Sequence, residues 1–183
     1  AIVDTNTYTA LFTASDGVAI AGSVTVTGGY EDQSGNAGVS GDDTVVIDRV
    51  SPTVMSVVRA EADYTNAGTV DFTVTFSEDV TGVDVDGSDF SLVASVVDAT
   101  IDSVSGSNSV YTVTVSTGTT GGVIGLVLAT VPTIQDAVGN DLTNSTVSGV
   151  NQNYTIASTE VLLVGGDVFV ADIREATADD LTL

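Results

Sequence analysis

Apolar and polar residues alternate with a period of two along most of this chain. The alternation is clearest at residues 8–13, 72–76 and 111–116, where apolar positions are separated mainly by Thr and Ser. A period of two is typical of a β-strand with one buried face, and Val and Thr both favour strands. The same pattern predicts further strands at residues 23–27, 43–48, 54–59, 90–97, 99–104, 123–130 and 153–157.

Clusters of Gly, Asn, Asp and Ser separate the predicted strands about every ten residues. Short strands with such regular turns predict a β-sandwich. Only residues 174–180 could form a single helical turn, so the predicted fold class is all-β.

Two features of the sequence recur in the same order. The strand at 8–13 recurs at 111–116, and the Asp-x-x-Gly-Asn run at 32–36 recurs at 136–140. The recurrences lie 103 and 104 residues after the originals. Such a spacing predicts tandem modules of about 100 residues.

This repeat predicts three regions. Residues 1–50 are the second half of a module that upstream chain or a neighbouring subunit completes. Residues 51–157 form a complete module, and residues 158–183 add a strand segment that is either a donor strand or the start of a further module. The short joint at residues 48–52 contains Pro52, which cannot donate a ladder hydrogen bond.

The ordered motifs resemble a known family. Residues 44–53, the FSEDVTG run at 76–82, the strand at 111–115 and the DAVGN run at 136–140 are similar to bacterial Ig-like tandem repeats. These repeats occur in large secreted and surface proteins of the adhesin type. The resemblance covers residues 1–157 and implies Ig-like β-sandwich modules, a non-enzymatic role and an extracellular, cell-surface location.

The chain is strongly acidic, with 25 Asp and Glu against three Arg and a net charge of −22. Such a charge repels nucleic-acid phosphates, so nucleic-acid binding is not expected. It suits an extracellular medium rich in salt or calcium, and a halophilic source is the alternative explanation. The longest apolar run, residues 123–131, is too short to span a bilayer, so membrane insertion is not expected.

The sequence lacks His, Cys, Lys and Trp. Their absence excludes Ser-His-Asp and Cys-His catalysis, lysine Schiff bases and metal sites that use imidazole or thiolate. The remaining site chemistry is the binding of a hard cation such as calcium by carboxylates. The chain is therefore not expected to be an enzyme.

One candidate calcium site lies in the sequence around Gly87. Asp84, Asp86 and Asp89 have the alternating spacing with which carboxylates converge on one calcium ion. The alternative is a strand edge whose acids lie in solvent.

A second candidate is a cation at the joint between modules. Asp48 lies in the joint, Glu78 and Asp79 follow a strand, and Asp32 and Asp136 lie in the recurring loop. Loops at one pole of a sandwich cluster, so these acids could share a calcium ion that stiffens the array. The alternative for Asp32 and Asp136 is turn formation, since an Asp side chain bonds readily to its own backbone.

The C-terminal segment contains two apolar stretches, residues 161–164 and 168–173, on either side of Gly165-Gly166. Uncovered apolar strands favour aggregation, so a partner is expected to cover them. One hypothesis is strand addition to the next copy of the chain; the other is that this segment opens a further domain.

These features predict a structural building block of a surface filament, surface layer or adhesin stalk. Its expected partners are copies of itself or adjacent modules of the same polypeptide. The alternative is a ligand- or carbohydrate-binding module of a secreted adhesin or enzyme. The position of most Tyr and Phe at predicted inward positions favours the structural role.

Overall fold

The computed structural model describes residues 7–85, 89–130, 132–143, 146–164 and 167–172, with the backbone alone for residues 159–172. The chain divides into two compact units, Ala1–Val50 and Ser51–Leu183. The described residues form strands and no helix, which confirms the predicted all-β class. Among them, no helix has the length and apolar character needed to cross a membrane.

The first unit is built on one antiparallel strand pair. Strand β1 (Ala19–Val26) pairs with β2 (Gly41–Asp48) over their full lengths, with Ala19 opposite Asp48 and Val26 opposite Gly41. The sequence predicted shorter strands, at 23–27 and 43–48. Both strands are longer because each supplies the other's hydrogen-bond partners.

The strand predicted at residues 8–13 does not form; Tyr8 alone makes an isolated bridge there. In the second unit the recurring stretch, 110–116, is a strand with neighbours on both sides. A strand needs hydrogen-bond partners as well as alternation. Within the described part of the first unit, only β1 and β2 pair as strands.

The described residues of the second unit form twelve strands, which are in chain order β3 (Val54–Arg59), β4 (Tyr64–Thr65), β5 (Thr69–Phe76), β6 (Val80–Thr81), β7 (Phe90–Ala94), β8 (Thr100–Ser107), β9 (Val110–Ser116), β10 (Gly122–Leu128), β11 (Gln135–Asp136), β12 (Asn153–Ile156), β13 (Thr159–Val164) and β14 (Asp167–Asp172).

Two four-stranded sheets make the body of the second unit. One has the order β3-β5-β9-β8 and is antiparallel throughout. The other has the order β4-β12-β10-β7, with a parallel pairing between β4 and β12. Strands β6 and β11 form a small separate ladder. This architecture is a β-sandwich.

The core lies between these sheets and follows the alternation in the sequence. In β5 the residues Val70, Phe72, Val74 and Phe76 are buried, and the residues between them are half-buried. Phe72 packs edge-on against Tyr154 of β12 with ring centroids 5.1 Å apart. A T-shaped pair stabilises beyond the area it buries.

The chain enters the sandwich at one pole and leaves it at the opposite pole. At the first pole Thr53 exchanges hydrogen bonds with Ser77, just beyond the pairing of Val54 with Phe76. At the other pole β12 ends, and the N–H of Ala157 donates to the carbonyl of Thr65. The length of β5 separates the two poles, because Thr69 lies near the second pole and Phe76 near the first.

Strands β13 and β14 form a hairpin beyond the sandwich. Thr159 lies opposite Asp172, and Val164 lies opposite Asp167. Among the described strands, each of the two pairs with the other alone. The apolar strands predicted at 161–164 and 168–173 are therefore present up to residue 172; residue 173 and the helical turn predicted at 174–180 lie outside the described residues.

Candidate functional site

The recurring Asp-x-x-Gly-Asn run folds into a closed loop in the first unit. Asp32 Oδ1 accepts the backbone N–H of Ser34 at 2.8 Å and of Asn36 at 2.9 Å. The side-chain amide of Asn36 donates to Asp32 Oδ2 at 2.7 Å. Gly35 has a φ of +80°, a left-handed conformation that glycine adopts without strain.

The loop of the second unit repeats this geometry. Asp136 Oδ1 accepts the N–H groups of Val138 at 2.9 Å and Asn140 at 2.8 Å, and Oδ2 accepts the Asn140 amide at 2.7 Å. Gly139 has a φ of +93°. The turn chemistry predicted for Asp32 and Asp136 is thus present in both loops.

Both aspartates are held in the charged form. The side-chain hydrogen bond from Asn36 is the main cause that lowers the pKa of Asp32 below its usual value. Burial raises the pKa of Asp136, but the hydrogen bonds from Asn140, Val138 and Gly139 outweigh this effect and lower it. Because the folded-state pKa lies below the ordinary Asp value of 3.8, the ionised carboxylates stabilise the loops at pH values above 3.8. This stabilisation is lost as the pH falls through the folded-state pKa.

Removing the loop carboxylate is expected to destabilise the second unit. Asp136→Ala leaves the N–H groups of Val138 and Asn140 without their acceptor, and should cost about 1–2 kcal/mol of unfolding free energy. Asp136→Asn keeps an oxygen acceptor and should recover much of this loss. Urea denaturation of the three proteins measures the difference; equal stability of the wild type and Asp136→Ala would contradict a structural role for the carboxylate.

Two of the acids predicted to share a cation at the joint, Glu78 and Asp136, lie close together in the second unit. Within the second unit, a carboxylate oxygen of Glu78 lies within 4.8 Å of one of Asp136. Asp79 is exposed and lines a neighbouring cavity of about 400 Å³ beside Tyr111. Asp48 ends β2 in the first unit, where its Oδ1 accepts the N–H of Val50 at 3.1 Å.

The acids predicted to form a calcium loop near Gly87 have different surroundings. Asp89 is fully buried, and its carboxylate accepts three donors: the N–H of Asp84 at 2.9 Å, and the N–H and hydroxyl of Thr133 at 2.7 and 3.1 Å. Asp84 is exposed. Asp86 lies outside the described residues.

Sequence reasoning missed a polar group around Tyr154, whose ring is fully buried. Its hydroxyl accepts the N–H of Glu61 at 3.0 Å, contacts the Glu61 carboxylate, and donates to the carbonyl of Asp71 at 2.7 Å. The Arg59 guanidinium lies 5.9 Å from the ring centroid. Tyr154 lies more than 80 positions from Glu61 and Asp71 in the sequence, so no local motif indicates the group.

Among the described residues, no second sheet covers the apolar face of β1 and β2 in the first unit, and we call this face uncovered. Ile20, Val24 and Val26 of β1 are 54, 46 and 52% exposed. Strand β10 has the same place before its Asp-x-x-Gly-Asn loop as β1 has before its own. Its residues Ile124, Leu126 and Leu128 are 0, 0 and 6% exposed. An apolar strand face of this kind is normally covered by a second sheet.

Aromatic residues of the first unit share this exposure. Tyr8, Phe12 and Tyr30 are 73, 55 and 52% exposed. These three rings are exceptions to the expectation that most Tyr and Phe point inward, because inward-facing positions are buried only where an opposing sheet exists. A groove of about 400 Å³ runs between residues 8–10 and the strand residues Gly22, Val24, Val26 and Val45.

Fold and site together define an all-β protein whose described residues form a β-sandwich in the second unit and an antiparallel strand pair in the first. No protein-family model matches the chain, and neither a curated protein nor a solved structure is significantly similar to it.

Proposed function

We propose that this chain is a non-enzymatic, extracellular structural protein of tandem Ig-like modules, a building block of a surface filament, surface layer or adhesin stalk. The observation that carries this proposal is a recurring arrangement. In each unit, a strand is followed by the closed Asp-x-x-Gly-Asn loop and then by an antiparallel partner strand: β1 with β2, and β10 with β12.

The linker between the units supports a mechanical role. Arg49 pairs with Asp16 and donates its N–H to the carbonyl of Val18, so the first unit holds the chain up to that point. Pro52 is fully buried, and Thr53 is bonded to Ser77 of the second unit. Val50 and Ser51 are the only residues between these anchors, and a short linker restricts the motion of successive modules.

Assembly of copies is the second part of the proposal. The uncovered apolar face of the first unit and the hairpin of β13 and β14, which pairs with no other described strand, both favour association in which strands of one copy add to another. The net charge of −22 opposes association, so counter-ions are required. Calcium is the proposed counter-ion, with Glu78 and Asp136 as its ligands in the second unit and Asp48 as the ligand that the sequence predicts from the joint.

A binding module is the alternative function. The groove beside Tyr8 and the exposed rings of Phe12 and Tyr30 favour it, because stacking on aromatic rings is a common way to bind sugars and other flat ligands. If binding is the function, Tyr8→Ala will abolish ligand binding, because Tyr8 lines the groove.

Sedimentation velocity in millimolar calcium and again in chelator tests the proposed function. We expect large assemblies in calcium that shrink to small species in chelator. Glu78→Gln should weaken the calcium effect, whereas Glu31→Gln removes the same charge from the first unit and should not. A monomer under both conditions would contradict self-assembly.

A further inference from the structure

We propose that the uncovered face of β1 and β2 is the acceptor site for the β13–β14 hairpin of a second copy of this chain. This inference rests on the proposed function, because it requires that copies assemble. It adds which surface accepts and which segment donates.

The acceptor face is mainly apolar and carries one acid, Asp43, which lies opposite Val24. Ile20 and Val24 of β1 and Val45 of β2 are about half exposed, at 54, 46 and 54%. By the register of the pair, Ile20 lies opposite Ile47, and Gly22 lies opposite Val45. In the second unit, the corresponding face of β10 and β12 is covered by β-strands that present alternate Val and Phe residues. The occupant that suits the first unit is therefore also a strand with alternate large apolar residues.

The donor hairpin has this pattern. Val161 lies opposite Val170, and Leu163 lies opposite Val168, on one face of the hairpin. Leu162 lies opposite Phe169 on the other face. An isolated two-stranded hairpin is at best marginally stable in water, so a hairpin that is apolar on both faces requires cover.

The dimensions of donor and acceptor agree. The hairpin is six residue pairs long, and the β1–β2 pair is eight. At about 3.3 Å per residue, the hairpin is about 20 Å long and fits within the length of the acceptor. The space above Gly22 is filled by Ile47, Val45 and Phe12 of the same unit, so the occupant would contact these side chains rather than the glycine.

The direction of the chain favours a second copy over the same copy. Residue 51 enters the sandwich at the pole of Phe76, and Ala157 leaves it at the pole of Thr69, about 23 Å away along β5. Only Ala157 and Ser158 connect β12 to β13, so the hairpin starts at the pole far from the joint. Contact between the tail of one copy and the first unit of the next is heterologous, and such contacts build open filaments unless the rotation closes a ring.

Disulfide trapping tests the inference cleanly, because the chain has no native cysteine. One protein carries Val24→Cys on the acceptor face. It is mixed separately with proteins that carry Val161→Cys or Leu162→Cys, one for each face of the hairpin, and is oxidised in calcium. We expect a covalent dimer with at least one of the two. The control is Thr25→Cys, at the next position along β1 and on the opposite face. Its yield of covalent dimer should be at least tenfold lower.

Several outcomes would overturn the inference. One is an equal yield of mixed dimer from Val24→Cys and Thr25→Cys. Another is a dimer of Val24→Cys with itself in place of the mixed dimer. The third is that a protein with both cysteines in one chain forms an internal disulfide while the mixed single-cysteine proteins form none. A second variant, Val45→Asp, places a charge in the interface and should abolish trapping without changing the thermal transition of the second unit. Sedimentation of the same samples separates the two proposals: assembly without trapping contradicts only the donor site, whereas no assembly contradicts the proposed function as well.

Discussion

Replacing Asp89 by alanine will cost the second unit about 3–5 kcal/mol of unfolding free energy. The carboxylate is fully buried and accepts two backbone N–H groups and a hydroxyl, from Asp84 and Thr133. Alanine removes the one carboxylate that all three donors share, and each donor left buried and unpaired costs about 1–3 kcal/mol. Urea denaturation at neutral pH measures the loss.

Two comparisons make this experiment specific. Asp89→Asn keeps the size of the side chain and one oxygen acceptor, but its amide group faces a backbone donor. Its free energy of unfolding should therefore lie between those of the wild type and Asp89→Ala. Asp102→Ala removes an exposed acid on β8 and should change stability by less than about 0.5 kcal/mol. If Asp89→Ala costs as little as Asp102→Ala, the structural role of Asp89 is wrong.

The same variants decide between hydrogen bonding and calcium binding at Asp89. If the carboxylate serves only its protein donors, the loss on Asp89→Ala will be the same in calcium and in chelator. A loss that grows when calcium is present would favour the calcium loop predicted for Asp84, Asp86 and Asp89, since a bound ion stabilises the folded state by mass action.

Tyr154→Phe will destabilise the second unit by about 1–3 kcal/mol. The hydroxyl connects β12 to the carbonyl of Asp71 in β5 and to the backbone of Glu61, so its removal leaves buried polar groups unpaired. The phenyl ring keeps the edge-on contact with Phe72, so the comparison isolates the hydroxyl.

The same hydroxyl makes the wild type sensitive to alkali. Burial, and then the hydrogen bond to Glu61, raises the pKa of Tyr154 from 10 to about 12. Because the folded-state pKa lies above the unfolded value, the stabilisation is fully present below pH 10 and is lost as the pH rises towards 12. A shift of this size corresponds to about 3 kcal/mol.

Thermal unfolding followed between neutral and strongly alkaline pH should therefore show a steeper loss of stability in the wild type than in Tyr154→Phe. The variant keeps a smaller alkaline loss, because burial also raises the pKa of Tyr111. Parallel pH profiles for the two proteins would show that the ionisation of Tyr154 is not linked to folding.

Much of the fold could be predicted from alternation alone. The strand predicted at 54–59 has those bounds, and those predicted at 111–116 and 153–157 agree to within one residue. Alternation succeeds there because both sheets of the sandwich are present, so that one face of each strand is buried. At residues 8–13 the same alternation failed, because a strand also needs a hydrogen-bonding neighbour, which local sequence does not report.

Some of the candidate sites could be predicted from local sequence, and others could not. The loops of Asp32 and Asp136 could be predicted, because an Asp, a Gly with positive φ and an Asn within five residues contain all the groups that the turn needs. The role of Asp89 could not, because its donor Thr133 is 44 residues away. Spacing that suits calcium is equally compatible with a buried hydrogen-bond acceptor.

The sequence by itself determined the all-β class, the strand periodicity, the recurring loop and the absence of the residue types that most catalysis uses. Each of these depends on residue type and short-range order, which the chain carries wherever it folds. Only the tertiary structure decided which apolar faces are covered: Leu128 is buried and Val24 is half exposed, although both lie in strands that the sequence predicts. Burial depends on an opposing sheet, and that sheet comes from residues distant in the chain or from another molecule.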